Sequence, residues 1–183
     1  MNTVYLLTGN KGKMLAAEKA FSKFGIEVKA VKLDIPEIQA DSSLEIARHA
    51  ALIAAKQLNA PVIREDHSMF INALNNFPGP YIAYFDYNMP VDKLLKMMEG
   101  EADRNGHFEL AAVYATPDGK TKEYVYKVPV EITTEKKGDS KNWDKVIRHP
   151  GSSTTFAETN EINNLDVWNR NFVKIAEDLS KEF

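Results

Sequence analysis

The chain has 183 residues, of which 44% are hydrophobic and 27% are charged, a composition typical of a globular protein and not of a disordered one. It contains no cysteine, which excludes disulfides, thiolate metal sites and a cysteine nucleophile. The net charge of −3 excludes a global positive field for nucleic acid, and no apolar run approaches the roughly 20 residues that span a bilayer. We therefore expect a cytoplasmic protein whose partners include neither nucleic acid nor a membrane.

The beginning of the chain alternates strands and helices. Thr3–Leu7 is a short β-rich run that stops at the turn signal Thr8-Gly9-Asn10. Apolar residues at helical spacing follow as far as Gly25, and residues 26–31 form a second predicted strand. Strand, turn, helix and strand in this order are typical of an α/β layer architecture.

A loop over residues 34–41 leads to a second predicted helix. Ser42, followed three residues later by Glu45, predicts a capping box at its start, and the helix is expected to run to about Leu58. The later elements are predicted as follows: strands over 61–64 and 68–74, a turn over 75–80, a helix over 91–98, strands over 107–115 and 122–132 joined at Pro117-Asp118-Gly119, an irregular segment over 133–151, and a closing helix over 167–179.

The first motif that indicates chemistry is the turn Thr8-Gly9-Asn10-Lys11-Gly12-Lys13, where a strand passes into a helix. Free backbone N–H groups and the positive end of the helix dipole attract an anion there, and a lysine adds a point charge for a phosphate. The turn lacks the longer glycine loop of the Walker pattern. An ordinary helix start with solvated lysines is the alternative, and the motif alone favours it.

The second motif is the acidic pair Glu65-Asp66, which follows a buried-looking strand. In open α/β sheets, ligands bind beyond the carboxyl ends of strands. Carboxylates there suit Mg²⁺, which prefers oxygen ligands, and a carboxylate can also take a proton from an attacking water. Two exposed loop acids are the alternative. Glu37, in the loop before the second helix, indicates nothing by itself.

Taken together and in chain order, these segments resemble the inosine triphosphate pyrophosphatase family, whose members clear non-standard purine triphosphates such as ITP, XTP and dITP. The resemblance runs from the N-terminus to about Tyr84. It rests on the following segments: Thr8-Gly9-Asn10 with Lys13, then Asp34–Gln39, Glu65-Asp66, Asn72-Ala73-Leu74 and Phe77–Tyr81.

The resemblance implies a fold, an assembly and a reaction. We expect a single α/β domain over residues 1–183, with a long curved mixed sheet flanked by helices and two lobes around a central cleft. Most family members are homodimers, so a homodimer is expected. The implied activity is hydrolysis of a nucleoside triphosphate to a monophosphate and pyrophosphate, with Mg²⁺ as the cofactor and Mn²⁺ as the alternative cation.

Residue roles follow from the same resemblance. Glu37 and Asp66 are implied to bind the metal, and Asp66 is implied to activate the attacking water, with Glu65 beside it. The residues implied to hold the triphosphate are Thr8, Asn10 and Lys13. Attack on the α-phosphorus releases pyrophosphate, so positioning and charge neutralisation supply most of the catalysis.

The second half of the chain departs from the family pattern where the family binds the base. Trp143 and Asp144 are kept and are implied to bind substrate, whereas Lys141 stands where the family has a stacking phenylalanine. In the ungapped register, Arg170 is also kept for the substrate, whereas Asn164 replaces a lysine.

In the two predicted N-terminal helices, Ala50 stands in place of a family lysine and Ala16 in place of a glutamate. Three hypotheses remain open. The first is a working triphosphate pyrophosphatase with altered base preference, the second a nucleotide-binding protein that catalyses poorly, and the third a standard ITP and XTP house-cleaning enzyme. We rank the first above the third and the third above the second.

Overall fold

The computed structural model describes residues 3–140, 142–159 and 167–182. Its strands form one seven-stranded sheet in the order β2-β1-β3-β5-β6-β7, with β4 paired to β3. The strands are β1 (Thr3–Leu7), β2 (Glu27–Val31), β3 (Val62–Ile71), β4 (Phe77–Gly79), β5 (Asn105–Ala115), β6 (Thr121–Ile132) and β7 (Ile147–Arg148). The helices are α1 (Lys11–Phe21), α2 (Ser43–Leu58), α3 (Ile82–Asn88), α4 (Val91–Met97) and α5 (Arg170–Ser180).

The sheet is mixed. β1 pairs in parallel with both β2 and β3, whereas β4 runs antiparallel to β3 and β7 antiparallel to β6. The order strand, helix, strand at the N-terminus produces the parallel pairs because each helix returns the chain to the starting edge of the sheet. The predicted α/β architecture is therefore confirmed in these elements.

Local signals set the ends of the first two helices. Asn10 caps α1, and a 3₁₀ turn over Ser22–Phe24 follows the helix. Gly25 ends this turn with a φ of 66°, a left-handed conformation that glycine adopts without strain. Ser42 caps α2 as predicted, but its hydroxyl accepts from the Leu44 N–H and not from that of Glu45. The helix begins at the predicted residue, although its cap bond differs from that of the capping box.

The chain divides into two compact units, each built from segments that alternate along the sequence. Unit 1 comprises residues 1–66, 110–126 and 165–183, and unit 2 comprises 67–109 and 127–164. The prediction of a single domain over 1–183 stays a prediction. No helix in the described part of the chain is long and apolar enough to cross a membrane.

Unit 1 places helices on both faces of its strands. Alternate residues of β1 show this: Val4 and Leu6 belong to a buried cluster that includes α1 and α5, whereas Leu7 belongs to a cluster with α2. The alternation follows from the two-residue period of a strand. Helices on both faces bury this part of the sheet.

Unit 2 has a core of its own. It gathers side chains from β3, α3, α4, β6 and the segment after β6. Trp143 and Leu94 are among its largest fully buried side chains. Helix α3 (Ile82–Asn88) was not predicted, since its sequence is rich in aromatic residues without a clear helical period.

Candidate active site

The turn between β1 and α1 is shaped by its own side chains. The Thr8 hydroxyl accepts from the Asn10 N–H at 3.0 Å, and the Asn10 side-chain oxygen accepts from the N–H groups of Gly12 at 2.8 Å and Lys13 at 3.2 Å. Asn10 is therefore the N-cap of α1. The two residues fix the turn, which leaves its remaining backbone N–H groups and the helix dipole to attract an anion.

Lys13 reaches from α1 to strand β3. Its ammonium donates to the backbone carbonyl of Glu65 at 2.9 Å and lies 3.9 Å from the Glu65 carboxylate. The lysine side chain is only 18% exposed. Burial lowers the pKa of Lys13 below its ordinary value, and the carboxylates of Glu65 and Asp66 offset part of that shift.

The acidic pair lies in the middle of a strand, so the prediction that it follows one was wrong. The two short strands predicted over 61–64 and 68–74 are one continuous strand, β3, over Val62–Ile71. Because neighbouring residues of a strand point to opposite faces, the Glu65 and Asp66 side chains diverge. The Glu65 side chain is 1% exposed and that of Asp66 16%.

Arg64 joins the two predicted metal ligands. One of its terminal nitrogens, Nη2, lies 3.0 Å from Glu37 Oε2 and 3.8 Å from Asp66 Oδ1. The loop carboxylate and the strand carboxylate therefore converge on the same guanidinium. Sequence reasoning missed Arg64, although the two-residue period of a strand places it on the same face as Asp66.

The residues available to a divalent cation here are the carboxylates of Glu37 and Asp66. Among residues 3–140, 142–159 and 167–182, no group of three or more acidic or histidine side chains is arranged to hold a metal ion. Mg²⁺ usually takes one or two carboxylates and completes its shell with waters and substrate phosphates. Glu37 and Asp66 fit that requirement, provided that phosphates supply other ligands.

Lys32 is a second cation at the turn that sequence reasoning missed. Its Cε lies 3.4 Å from the position of a Cβ built on Gly9. Lys32 directly follows β2, and the Thr8 N–H donates to the carbonyl of Val31 at the end of that strand. The parallel pairing of β1 and β2 could have indicated it, because both strands end at the same edge.

The residues predicted to bind the base are divided between the two units. Trp143 belongs to unit 2, is 1% exposed and donates its indole N–H to the Met89 carbonyl at 2.9 Å. Trp143 therefore packs in the core of unit 2, and its predicted contact with substrate stays a prediction. Asp144, beside it, is half-buried in a short 3₁₀ turn over Trp143–Lys145.

Arg170 belongs to unit 1, where its guanidinium lies 4.5 Å from the centre of the Tyr126 ring. Arg170 therefore packs on an aromatic ring of its own unit. Ala16 and Ala50, at positions where the family pattern has charged residues, are both buried in unit 1. The positions of Lys141 and Asn164 lie outside the described residues.

A family model matches most of the chain. The model describes the Ham1 family and matches residues 4–177. The chain belongs to the Ham1 family. This confirms the predicted ITPase-like family. The predicted fold, an α/β fold with a curved mixed sheet flanked by helices, is confirmed as well.

Two curated relatives of this Ham1 family member are proteins named dITP/XTP pyrophosphatase. That of Ignicoccus hospitalis is 39% identical over 183 residues, covering 98% of this chain and 97% of the relative. That of Methanopyrus kandleri is 39% identical over 156 residues, covering 85% and 83% respectively. The solved structure of the Ham1 protein from Staphylococcus aureus matches all of both chains, with a TM-score of 0.81 at 24% identity, which shows the shared fold.

Proposed function

We propose that this chain hydrolyses a nucleoside triphosphate to a nucleoside monophosphate and pyrophosphate, and that the reaction depends on Mg²⁺. The observation that carries the proposal is the convergence of Glu37 and Asp66 on one guanidinium nitrogen. Arg64 also donates to the carbonyl of Leu7, the residue just before the phosphate-binding turn. Carboxylates for a hard cation and donors for phosphate are therefore neighbours in unit 1.

Glu37 and Asp66 are the residues that would hold the metal, and Mn²⁺ would suit the same oxygen ligands. When bound, the ion neutralises charge on the phosphates and polarises a phosphoryl oxygen. The other group on this strand, Glu65, is buried beside the Lys13 ammonium. Glu65 therefore holds Lys13 in position, which refines its predicted place among the catalytic groups.

The phosphates would be bound by the turn and the cations beside it. Thr8 and Asn10 hold the turn open, and the dipole of α1 favours the negative charge. Lys13 supplies a point charge from α1, and Lys32 supplies another from the end of β2. The Asp66 carboxylate orients the attacking water and accepts its proton as the bond between the α-phosphorus and the pyrophosphate oxygen breaks.

The names of the relatives support dITP or XTP as the substrate. Altered base preference is the second candidate, and its support is the replacement of family residues at Lys141 and Asn164. A poorly catalytic nucleotide-binding protein would be the third, and its support is the loss of family lysines at Ala50 and Asn164. The three differ in which nucleotide, if any, releases pyrophosphate.

The deciding experiment is a panel of nucleoside triphosphates assayed for pyrophosphate release with Mg²⁺ and again with a chelator. Turnover of dITP and XTP far above that of ATP and GTP supports the first candidate. Preference for another nucleotide supports the second, and the absence of turnover by folded protein supports the third. Turnover that survives the chelator would contradict the metal assignment.

Asp66→Asn tests the site itself. We expect pyrophosphate release to fall by about 10³-fold or more, because the variant loses both a metal ligand and the group that orients the water. Asp41→Asn, which neutralises an exposed carboxylate in the loop of Glu37, should keep full activity. Retained activity in Asp66→Asn, with an unchanged unfolding temperature, would place the metal elsewhere.

The homodimer and the cytoplasmic location stay predictions. Light scattering of the purified protein measures the former. A molar mass near twice that of one chain is expected, and a mass near 20.6 kDa would contradict it.

A further inference from the structure

Arg64 has as yet no role in the proposed function, although it contacts both predicted metal ligands. Its side chain is 22% exposed, and its contacts lie in the loop of Glu37, in β3 and at the end of β1. Nη2 lies near the carboxylates of both Glu37 and Asp66, while Nη1 donates to the Leu7 carbonyl at 3.4 Å. A single guanidinium thus spans the predicted metal ligands and the end of β1.

The contacts of Arg64 are uneven. The hydrogen bond to Glu37 is of ordinary length, at 3.0 Å, but the distance to Asp66 is 3.8 Å, beyond hydrogen-bond length. The Nε group is buried, and no hydrogen-bond partner for it lies in the described segments. Guanidinium–carboxylate pairs frequently form two parallel hydrogen bonds. Arg48 does so with Glu123, at 2.6 and 2.9 Å.

The positive charge of Arg64 affects how tightly a divalent cation can bind to Glu37 and Asp66. Glu37 and Asp66 both lie against one positive charge, so a divalent cation that binds them must displace the guanidinium or bind close to it. Like charges about 4 Å apart repel strongly even at the effective dielectric of a protein surface. The arginine therefore opposes the ion that the two carboxylates would otherwise attract.

We infer that Arg64 is an internal counter-ion, a positioning residue that holds Glu37 and Asp66 together in the free protein and gives way to the divalent cation. The inference rests on the proposed assignment of those two carboxylates to the metal. The displaced guanidinium remains next to the phosphate turn through Leu7, where the charge of a triphosphate attracts it. The metal alone therefore binds weakly, and the metal and nucleotide bind cooperatively.

The test is direct binding of Mn²⁺ to the intact chain, measured by the electron paramagnetic resonance of the free ion. In the absence of nucleotide, Arg64→Gln should bind Mn²⁺ at least about tenfold more tightly than the natural protein, because the opposing charge is gone. Arg64→Lys keeps the charge and should bind as weakly as the natural protein. Arg48→Gln, which removes an arginine from a separate ion pair, is the matched control and should not change the affinity.

Nucleotide supplies the second measurement. A non-hydrolysable triphosphate analogue should tighten Mn²⁺ binding in the natural protein, and this gain should be smaller in Arg64→Gln. Equal Mn²⁺ affinity in Arg64→Gln and the natural protein would overturn the counter-ion role, as would weaker binding in the variant.

Asp66→Asn distinguishes failure of the proposed metal site from failure of the counter-ion role of Arg64. If Asp66→Asn loses Mn²⁺ binding while Arg64→Gln leaves it unchanged, the proposed metal site stands and the inference about Arg64 falls. If Asp66→Asn binds Mn²⁺ as well as the natural protein does, the proposed metal site falls, and the inference falls with it. Tighter Mn²⁺ binding by Arg64→Gln, together with loss of binding in Asp66→Asn, would support both the metal site and the counter-ion role of Arg64.

Discussion

Replacing Lys13 with methionine removes a buried positive charge while keeping an unbranched side chain of similar length. In the folded protein, this ammonium donates to the Glu65 carbonyl at 2.9 Å and lies 3.9 Å from the carboxylate of the same residue. The Glu65 side chain is almost fully buried, so the variant leaves a carboxylate in the protein interior without this cation. The expected result is a loss of stability in addition to any loss of phosphate binding.

The magnitude follows from burial and distance. Removing one partner of a buried ion pair costs about 3–5 kcal/mol, and the partial exposure of Lys13 reduces this to about 2–4 kcal/mol. For a chain of this length, 1 kcal/mol corresponds to about 2–4 °C in the unfolding temperature. We therefore expect Lys13→Met to lower the unfolding temperature by about 4–16 °C at neutral pH.

A double-mutant cycle separates the structural role of Lys13 from its phosphate-binding role. Adding Glu65→Gln to Lys13→Met removes the stranded charge and should restore about half or more of the lost stability. Calorimetry measures this recovery. The KM for nucleotide should stay raised by about tenfold in both variants, because the phosphate contact is not restored. A decrease below about 2 °C in Lys13→Met, or no recovery on adding Glu65→Gln, would refute the buried pair.

Three further predictions follow from other contacts. Lys32→Met should raise the KM for nucleotide about tenfold with little change in unfolding temperature, and an unchanged KM would remove Lys32 from the phosphate site. Gly106→Ala should destabilise the protein by about 1–3 kcal/mol in urea titration, because an added Cβ would lie 2.4 Å from the backbone carbonyl oxygen of Phe70; an unchanged free energy of unfolding would contradict this packing. The hydrogen bond from Tyr124 lowers the pKa of Asp178 to about 2, so its stabilisation is present above about pH 4 and lost as the pH falls towards 2. Tyr124→Phe should therefore show a shallower decrease in unfolding temperature between these pH values, and an unchanged slope would contradict the assignment.

Much of the secondary structure could be predicted from local signals. Side chains within a few residues of each boundary set the strand Thr3–Leu7, the stop at Gly25 after the 3₁₀ turn that follows α1, and the start of α2 at Ser42. The hairpin at Pro117-Asp118-Gly119 is of the same kind, with Gly119 at a φ of 87°. Short-range physics was sufficient for these elements.

The strand β3 shows where local signals failed. Glu65 and Asp66 are poor strand formers, so they suggested a break between two short strands. In the folded chain they continue one strand because β3 lies within the sheet, with β1 and β5 as neighbours in the strand order. Backbone pairing outweighs the low propensity of two residues. Because the strand is continuous, the Glu65 carboxylate points away from that of Asp66 and lies beside Lys13.

The sequence by itself determined the kinds of residue available: the phosphate turn, the carboxylates Glu37 and Asp66, and the family to which they belong. Only the tertiary structure decided which of them meet. Glu37 and Arg64 are 27 residues apart and Lys13 and Glu65 are 52 apart, and neither pair has a local signal. Such pairs depend on strand register and on which face of a strand is buried, and these are properties of the packed sheet that no single segment encodes.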